Sequence, residues 1–120
     1  MPVLSPDTFE IHGSTFVSYA RTGRGSSQLC AWRLEVPPGT TGVPHRPDRE
    51  EVLLVLSGEL HATVDGTPAT LGPGEVLLVP AGALLSVDAG PDGATAWVTT
   101  TPGLSAVTAD GTRLRPPWAQ

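Results

Sequence analysis

Short runs of β-favouring residues, each halted by glycine, proline or aspartate, recur along this chain, and no window of helical length carries a sustained 3.6-residue apolar period. Residues 15–20 (TFVSYA) form the first run. Residues 28–36 (QLCAWRLEV) alternate, with Cys30, Trp32, Leu34 and Val36 on one face and Arg33 and Glu35 on the other, which is the pattern of a half-buried strand. Residues 52–56 (VLLVL) are apolar on both faces and predict a central strand. Ser57-Gly58 reads as a turn into 59–64 (ELHATV), and Asp65-Gly66 is a hairpin signal. A short run at 70–71, a buried one at 75–79 (EVLLV) and further ones at 84–87, 95–100 and 105–108 follow, with turns at 72–74, 80–82 and 90–93. About eight or nine strands spaced 8–12 residues apart predict an all-β sandwich or barrel.

The 14 glycines and 13 prolines then read as turn punctuation between apolar runs, not as a disordered tract. At 120 residues the chain is expected to be one domain: an N-terminal arm at 1–14, a barrel at 15–108 and an extended tail at 109–120 with Trp118 docked on the body. Antiparallel edges need cover, and a second copy is the simplest cover for a small domain, so a homodimer is expected.

Composition removes several chemistries. There is no lysine, so neither a Schiff-base lysine nor a P-loop lysine is available. One cysteine, Cys30, makes neither an internal disulfide nor a zinc ribbon. A net charge of −5 with seven scattered arginines argues against a nucleic-acid partner. No apolar run approaches the roughly 20 residues of a membrane span, and the first ten residues lack the basic and apolar regions of a signal peptide, so a cytoplasmic protein with no membrane partner is expected.

Two stretches carry a resemblance. Residues 42–58 read Gly42, then His45-Arg-Pro47, three residues, Glu51, six residues and Gly58. Residues 74–89 read Gly74, five residues, Pro80-Ala-Gly82, two residues, Leu85, three residues and Ala89. Together they resemble the two motifs of the cupin superfamily, of the small RmlC-like type. That likeness implies a double-stranded β-helix, or jelly-roll barrel, with a pocket inside. In metal-binding cupins three histidines and one glutamate of these motifs hold a divalent ion. Here the resemblance places only His45 and Glu51 at ligand positions, and Pro47, Leu85 and Ala89 stand where the family has His, His and Asn. Two ligands fall short of the three or four of ordinary first-row metal sites. No cofactor is expected, and a weakly held divalent metal on His45 and Glu51 is the one that this degenerate site leaves open. Cys30 and His61 are the residues from which an atypical ligand set would be completed.

The functional expectation is a small-molecule binder in which His45 and Glu51 act as a metal-independent acid/base pair, in a reaction of the isomerase, cyclase or lyase class. Cys30, Trp32, Pro47, Leu85, Val87 and Trp97 are the expected pocket wall. Two alternatives stand beside it: a ligand-binding or regulatory module without chemistry, and a metal-dependent oxygenase or isomerase with unusual ligands. A structural reading of the pair is also open, with Glu51 tied to Arg46 or Arg49 and His45 capping a loop. Asp48, Arg49 and Glu50 read as a solvated charge cluster, and His12 has no visible partner.

Overall fold

The computed structural model describes residues 3–120. It contains ten strands: β1 (Asp7–Ile11), β2 (Ser14–Ala20), β3 (Cys30–Val36), β4 (His45–Pro47), β5 (Glu51–Val64), β6 (Thr67–Leu71), β7 (Val76–Val79), β8 (Leu85–Thr100), β9 (Ala106–Thr108) and β10 (Arg113–Leu114). The 3-10 turns are Thr22–Arg24 and Pro117–Ala119. The strands form one curled antiparallel sheet in the order β1-β2-β3-β8-β4-β9-β10, with β5 pairing β6, β7 and β8. The result is an all-β jelly-roll barrel.

Alternation sorts the side chains as the β3 pattern requires. Trp32 on β3 lies opposite Val98 on β8, and Val98 lies opposite Leu53 on β5, all three on the inner face and nearly solvent-free. One residue along, Arg33, Trp97 and Leu54 form the matching outer row. Val52 and Leu56 also point outward and stand exposed, as do Val76 and Leu78 on β7, so the apolar run 52–56 is central in pairing but covered on one face only.

The structure refines three expectations about chain organisation. The stretch 1–14 was expected to be an arm, but residues 7–11 of it form β1, which pairs with β2 from Asp7 opposite Ser18 to Ile11 opposite Ser14; Met1 and Pro2 lie outside the described residues. The tail 109–120 contributes β10, which pairs with β9. The expected turns at 57–58 and 90–93 do not separate strands; they lie inside β5 and β8, which stay paired across two register shifts. The reason is packing at Gly58 (φ 74°), where a Cβ would stand 2.1 Å from the carbonyl oxygen of Gly93. The two glycine-bearing kinks face each other, so both strands bend together without losing their ladder.

The C-terminal turn is pinned to the barrel. Ser18 Oγ donates to the Trp118 carbonyl at 2.8 Å, Gln120 Nε2 donates to the Leu104 carbonyl at 2.7 Å, and Gly23 N donates to the Gln120 carbonyl at 3.0 Å. The Trp118 ring stacks on Phe16 with centroids 3.7 Å apart and meets Trp32 edge-on at 6.4 Å.

Candidate functional site

Inside the barrel lies a cavity of about 250 Å³. Its wall is overwhelmingly apolar, with Phe16, Trp32, Leu53, Leu85, Val98 and Trp118 among the lining residues, and its titratable or charged lining groups are His12, His45, Glu51 and Arg115.

His45 is set in place by the segment before it. Gly42 N donates to Asp88 Oδ1 at 2.5 Å, and a Cβ on Gly42 would stand 2.2 Å from the Val87 carbonyl oxygen, so the chain crosses β8 in near contact before entering β4. On β4, His45 lies directly opposite Leu85. Its Nδ1 is 2.8 Å from the Val43 carbonyl oxygen. A carbonyl only accepts, so Nδ1 carries the proton and the neutral ring keeps its lone pair on Nε2. The loop-capping role considered from sequence is thus present, and it leaves the second nitrogen free.

Glu51 opens β5 opposite Val79 and lines the cavity. It is 6% exposed, and its carboxyl has no hydrogen-bond or ion-pair partner among the described residues. Burial alone pushes its pKa up to about 7. The arginines that could have neutralised it are committed elsewhere: Arg46 lies 3.8 Å from Asp65 and donates to the Gly82 carbonyl, while Arg49 donates to the Pro102 carbonyl. His45 and Glu51 line one cavity, and no hydrogen bond joins them among the described residues.

The other expected wall residues divide. Trp32, Pro47, Leu85 and Val87 line the cavity. Trp97 does not; it lies on the outer face against Tyr19, ring centroids 5.2 Å apart, because it alternates with the inward Ala96 and Val98. Cys30 does face inward, but Ala119 covers it, with Sγ 3.5 Å from the Ala119 carbonyl oxygen, and it does not reach the cavity. Burial raises its pKa, against smaller lowering effects of the Thr22 backbone and Arg21, so it is a neutral thiol. His61 sits at the exposed surface with Nε2 2.5 Å from Glu59 Oε1. Neither Cys30 nor His61 therefore joins His45 and Glu51.

Sequence reasoning missed His12 and Trp118 as lining residues. His12 turns β1 into β2 at φ 54°, and since β1 was not expected, neither was its turn at the cavity mouth. The charge cluster at 48–50 also holds a structural member. Asp48 accepts from the Ser105 backbone N at 2.8 Å and from the Ser105 hydroxyl at 2.9 Å, locking the start of β9. Burial alone would raise its pKa, but the Ser105 bonds and Arg49 outweigh that and hold it below the usual carboxylate range.

The family model for the cupin domain matches residues 32–101. An RmlC-like cupin from Shewanella frigidimarina is 23% identical, with 82% of this chain and 85% of that chain covered at a TM-score of 0.70. The polyketide cyclase RemF from Streptomyces resistomycificus is 22% identical over 85% of this chain and 74% of that one, with a TM-score of 0.69. A Bacillus subtilis oxalate decarboxylase variant is 16% identical over 86% of this chain and 31% of that one, with a TM-score of 0.72. At these identities the likeness is one of fold. Endoribonuclease YbeY of Myxococcus xanthus is 40% identical over 67 residues, which are 56% of this chain and 22% of that protein.

The divalent metal that the fold family implies does not fit the residues at this site. No three His, Cys, Asp or Glu side chains gather among the described residues, and the two remaining family positions carry the buried apolar side chains of Pro47 and Leu85. Among the described residues no helix is long and apolar enough to cross a membrane.

Proposed function

The chain belongs to the cupin family, and from that premise we propose that its barrel cavity binds a small, predominantly apolar organic molecule and that Glu51 exchanges a proton with it. The observation that carries this reading is the Glu51 carboxyl, buried and unpartnered on the wall of a predominantly apolar cavity. A carboxyl whose pKa stands at about 7 is populated in both protonation states near neutrality, which is what a general acid or base requires. His45 Nε2, with its partner nitrogen fixed on Val43, is the second group able to accept a proton in the same space. The pair acts through the bound molecule and not by direct contact. Such an arrangement serves isomerisation, cyclisation or elimination, in which a proton leaves one atom of the substrate and returns to another. No step requires a metal.

A cavity of about 250 Å³ suits a molecule of roughly 8–15 heavy atoms, given that about 150 Å³ holds a benzene ring. The test is calorimetric titration with a panel of neutral one- and two-ring aromatics, alongside NMR of the labelled Glu51 carboxyl. At least one panel member is expected to bind, binding is expected to disappear in Val87→Trp, which fills the half-buried wall, and the Glu51 midpoint is expected near neutrality and displaced when the cavity is occupied. Binding unaffected by Val87→Trp in a folded variant, or a Glu51 midpoint that stays near the ordinary 4.5 with and without ligand, overturns the reading.

A further inference from the structure

We infer that the ligand is a small organic cation, an amine whose apolar body lies against Leu85, Val98 and the Trp32–Trp118 wall and whose ammonium group sits on the Glu51 carboxylate. This rests on the cavity reading and names its ligand class.

Four observations converge. First, Glu51 is a buried acid with no counter-charge, and the arginines at 46 and 49 are engaged with Asp65, Gly82 and Pro102. A buried carboxyl without a partner keeps its proton, and what would ionise it is a positive charge brought into the cavity. Second, His45 offers the cavity an acceptor, because its Nδ1 proton is spent on Val43. An ammonium group brings several donors, which match the Glu51 carboxylate and the His45 Nε2. Third, the indole nitrogens of Trp32 and Trp118 are buried in the packed wall, so these residues offer the cavity apolar ring surface, against which the body of the ligand packs. Fourth, the chain carries a net charge of −5 and draws cations toward itself.

The remaining titratable or charged lining groups do not reverse the argument. His12 and Arg115 are exposed, and neither forms an ion pair with Glu51. An anionic ligand would place a second negative charge beside Glu51. A neutral alcohol would leave the carboxyl without its counter-charge.

Benzylamine, benzyl alcohol and benzoate share one ring and differ in charge, and all fit the cavity volume. At pH 8, benzylamine is expected to bind at least tenfold more tightly than benzyl alcohol, with benzoate weakest, in line with the strength of charge-assisted hydrogen bonds. Glu51→Gln, nearly isosteric, is expected to level the three affinities. Benzyl alcohol or benzoate binding as tightly as benzylamine overturns the cation inference and leaves the cavity reading standing. Unchanged benzylamine affinity in Glu51→Gln also overturns it. Failure of all three probes, together with the neutral panel, removes both.

Discussion

Glu51→Gln is expected to flatten the dependence of stability on pH, its stability gaining about 3 kcal/mol relative to the native chain between pH 4.5 and pH 8. The sign follows from the two ends of the titration. Below about pH 4.5 the Glu51 carboxyl is protonated in both the folded and unfolded chains, so its ionisation costs nothing. As pH rises, the unfolded carboxyl ionises first, at its ordinary value of 4.5, while the folded one holds its proton to about 7. The folded state binds more protons throughout that window, so the native chain loses stability as pH rises through it, and the loss is complete above about pH 7. Glutamine carries no titrating group, and whatever its amide costs in the cavity is the same at every pH. Urea unfolding at pH 4.5 and pH 8 checks this, and in thermal unfolding the differential amounts to roughly 10 °C for a domain of this size. Parallel stability curves for the two proteins would show that Glu51 has a partner or a solvated environment after all.

The same residue shows what was and was not legible in the sequence. The inner face of β3 could be read directly, because Cys30, Trp32, Leu34 and Val36 alternate with Arg33 and Glu35, and all four are buried. The motif spacing placed Glu51 at the start of a central strand, and the family match over residues 32–101 stands on the same residues. Its isolation could not be read. Whether a nearby arginine reaches a carboxylate depends on loop direction, and Arg46 and Arg49 leave β4 and the following turn toward Asp65 and Pro102. Trp97 does not line the cavity as expected, because the run 95–100 alone does not say which of its alternating side chains face inward. The pairing of Trp97 with Arg33 settles its side, and that pairing is a long-range contact. Cys30 failed differently: its face was right, but Ala119, nearly ninety residues away, covers it. The two kinks at Gly58 and Gly93 were read as turns because glycine next to a polar residue signals a turn locally. Only their apposition across β5 and β8 reveals paired bulges within continuous strands.

Restoring the two departed histidine positions of the motifs is expected to convert the cavity into a metal site. Pro47 and Leu85 line the same space as His45 and Glu51; Leu85 is the direct cross-strand neighbour of His45, and Pro47 lies two residues along β4 on the same side. Pro47→His with Leu85→His would supply two further imidazoles, giving three His and one Glu around one point, within the ligand count that first-row metals favour. Four-ligand structural sites bind zinc with about 10–16 kcal/mol, or roughly 3 per ligand, so two added ligands are expected to tighten cobalt or zinc binding on the order of a thousandfold or more. At a hundredfold excess of metal over its dissociation constant, the double variant should gain about 2.7 kcal/mol of stability, and the native chain should gain little at the same concentration. The metal would also supply the charge that Glu51 lacks, so the loaded double variant should lose the fall in stability between pH 4.5 and 7, because a nearby cation holds a carboxylate ionised. It should bind benzylamine less well, since ammonium and metal compete for one carboxylate. Cobalt absorption, thermal unfolding with and without metal, and competition by benzylamine measure the three effects. If the double variant binds cobalt no better than the native chain, then Pro47 and Leu85 are not what separates this cavity from a metal centre. The barrel itself would then hold His45 and Glu51 too far apart to share an ion, and an organic cation that spans the gap would remain the better fit.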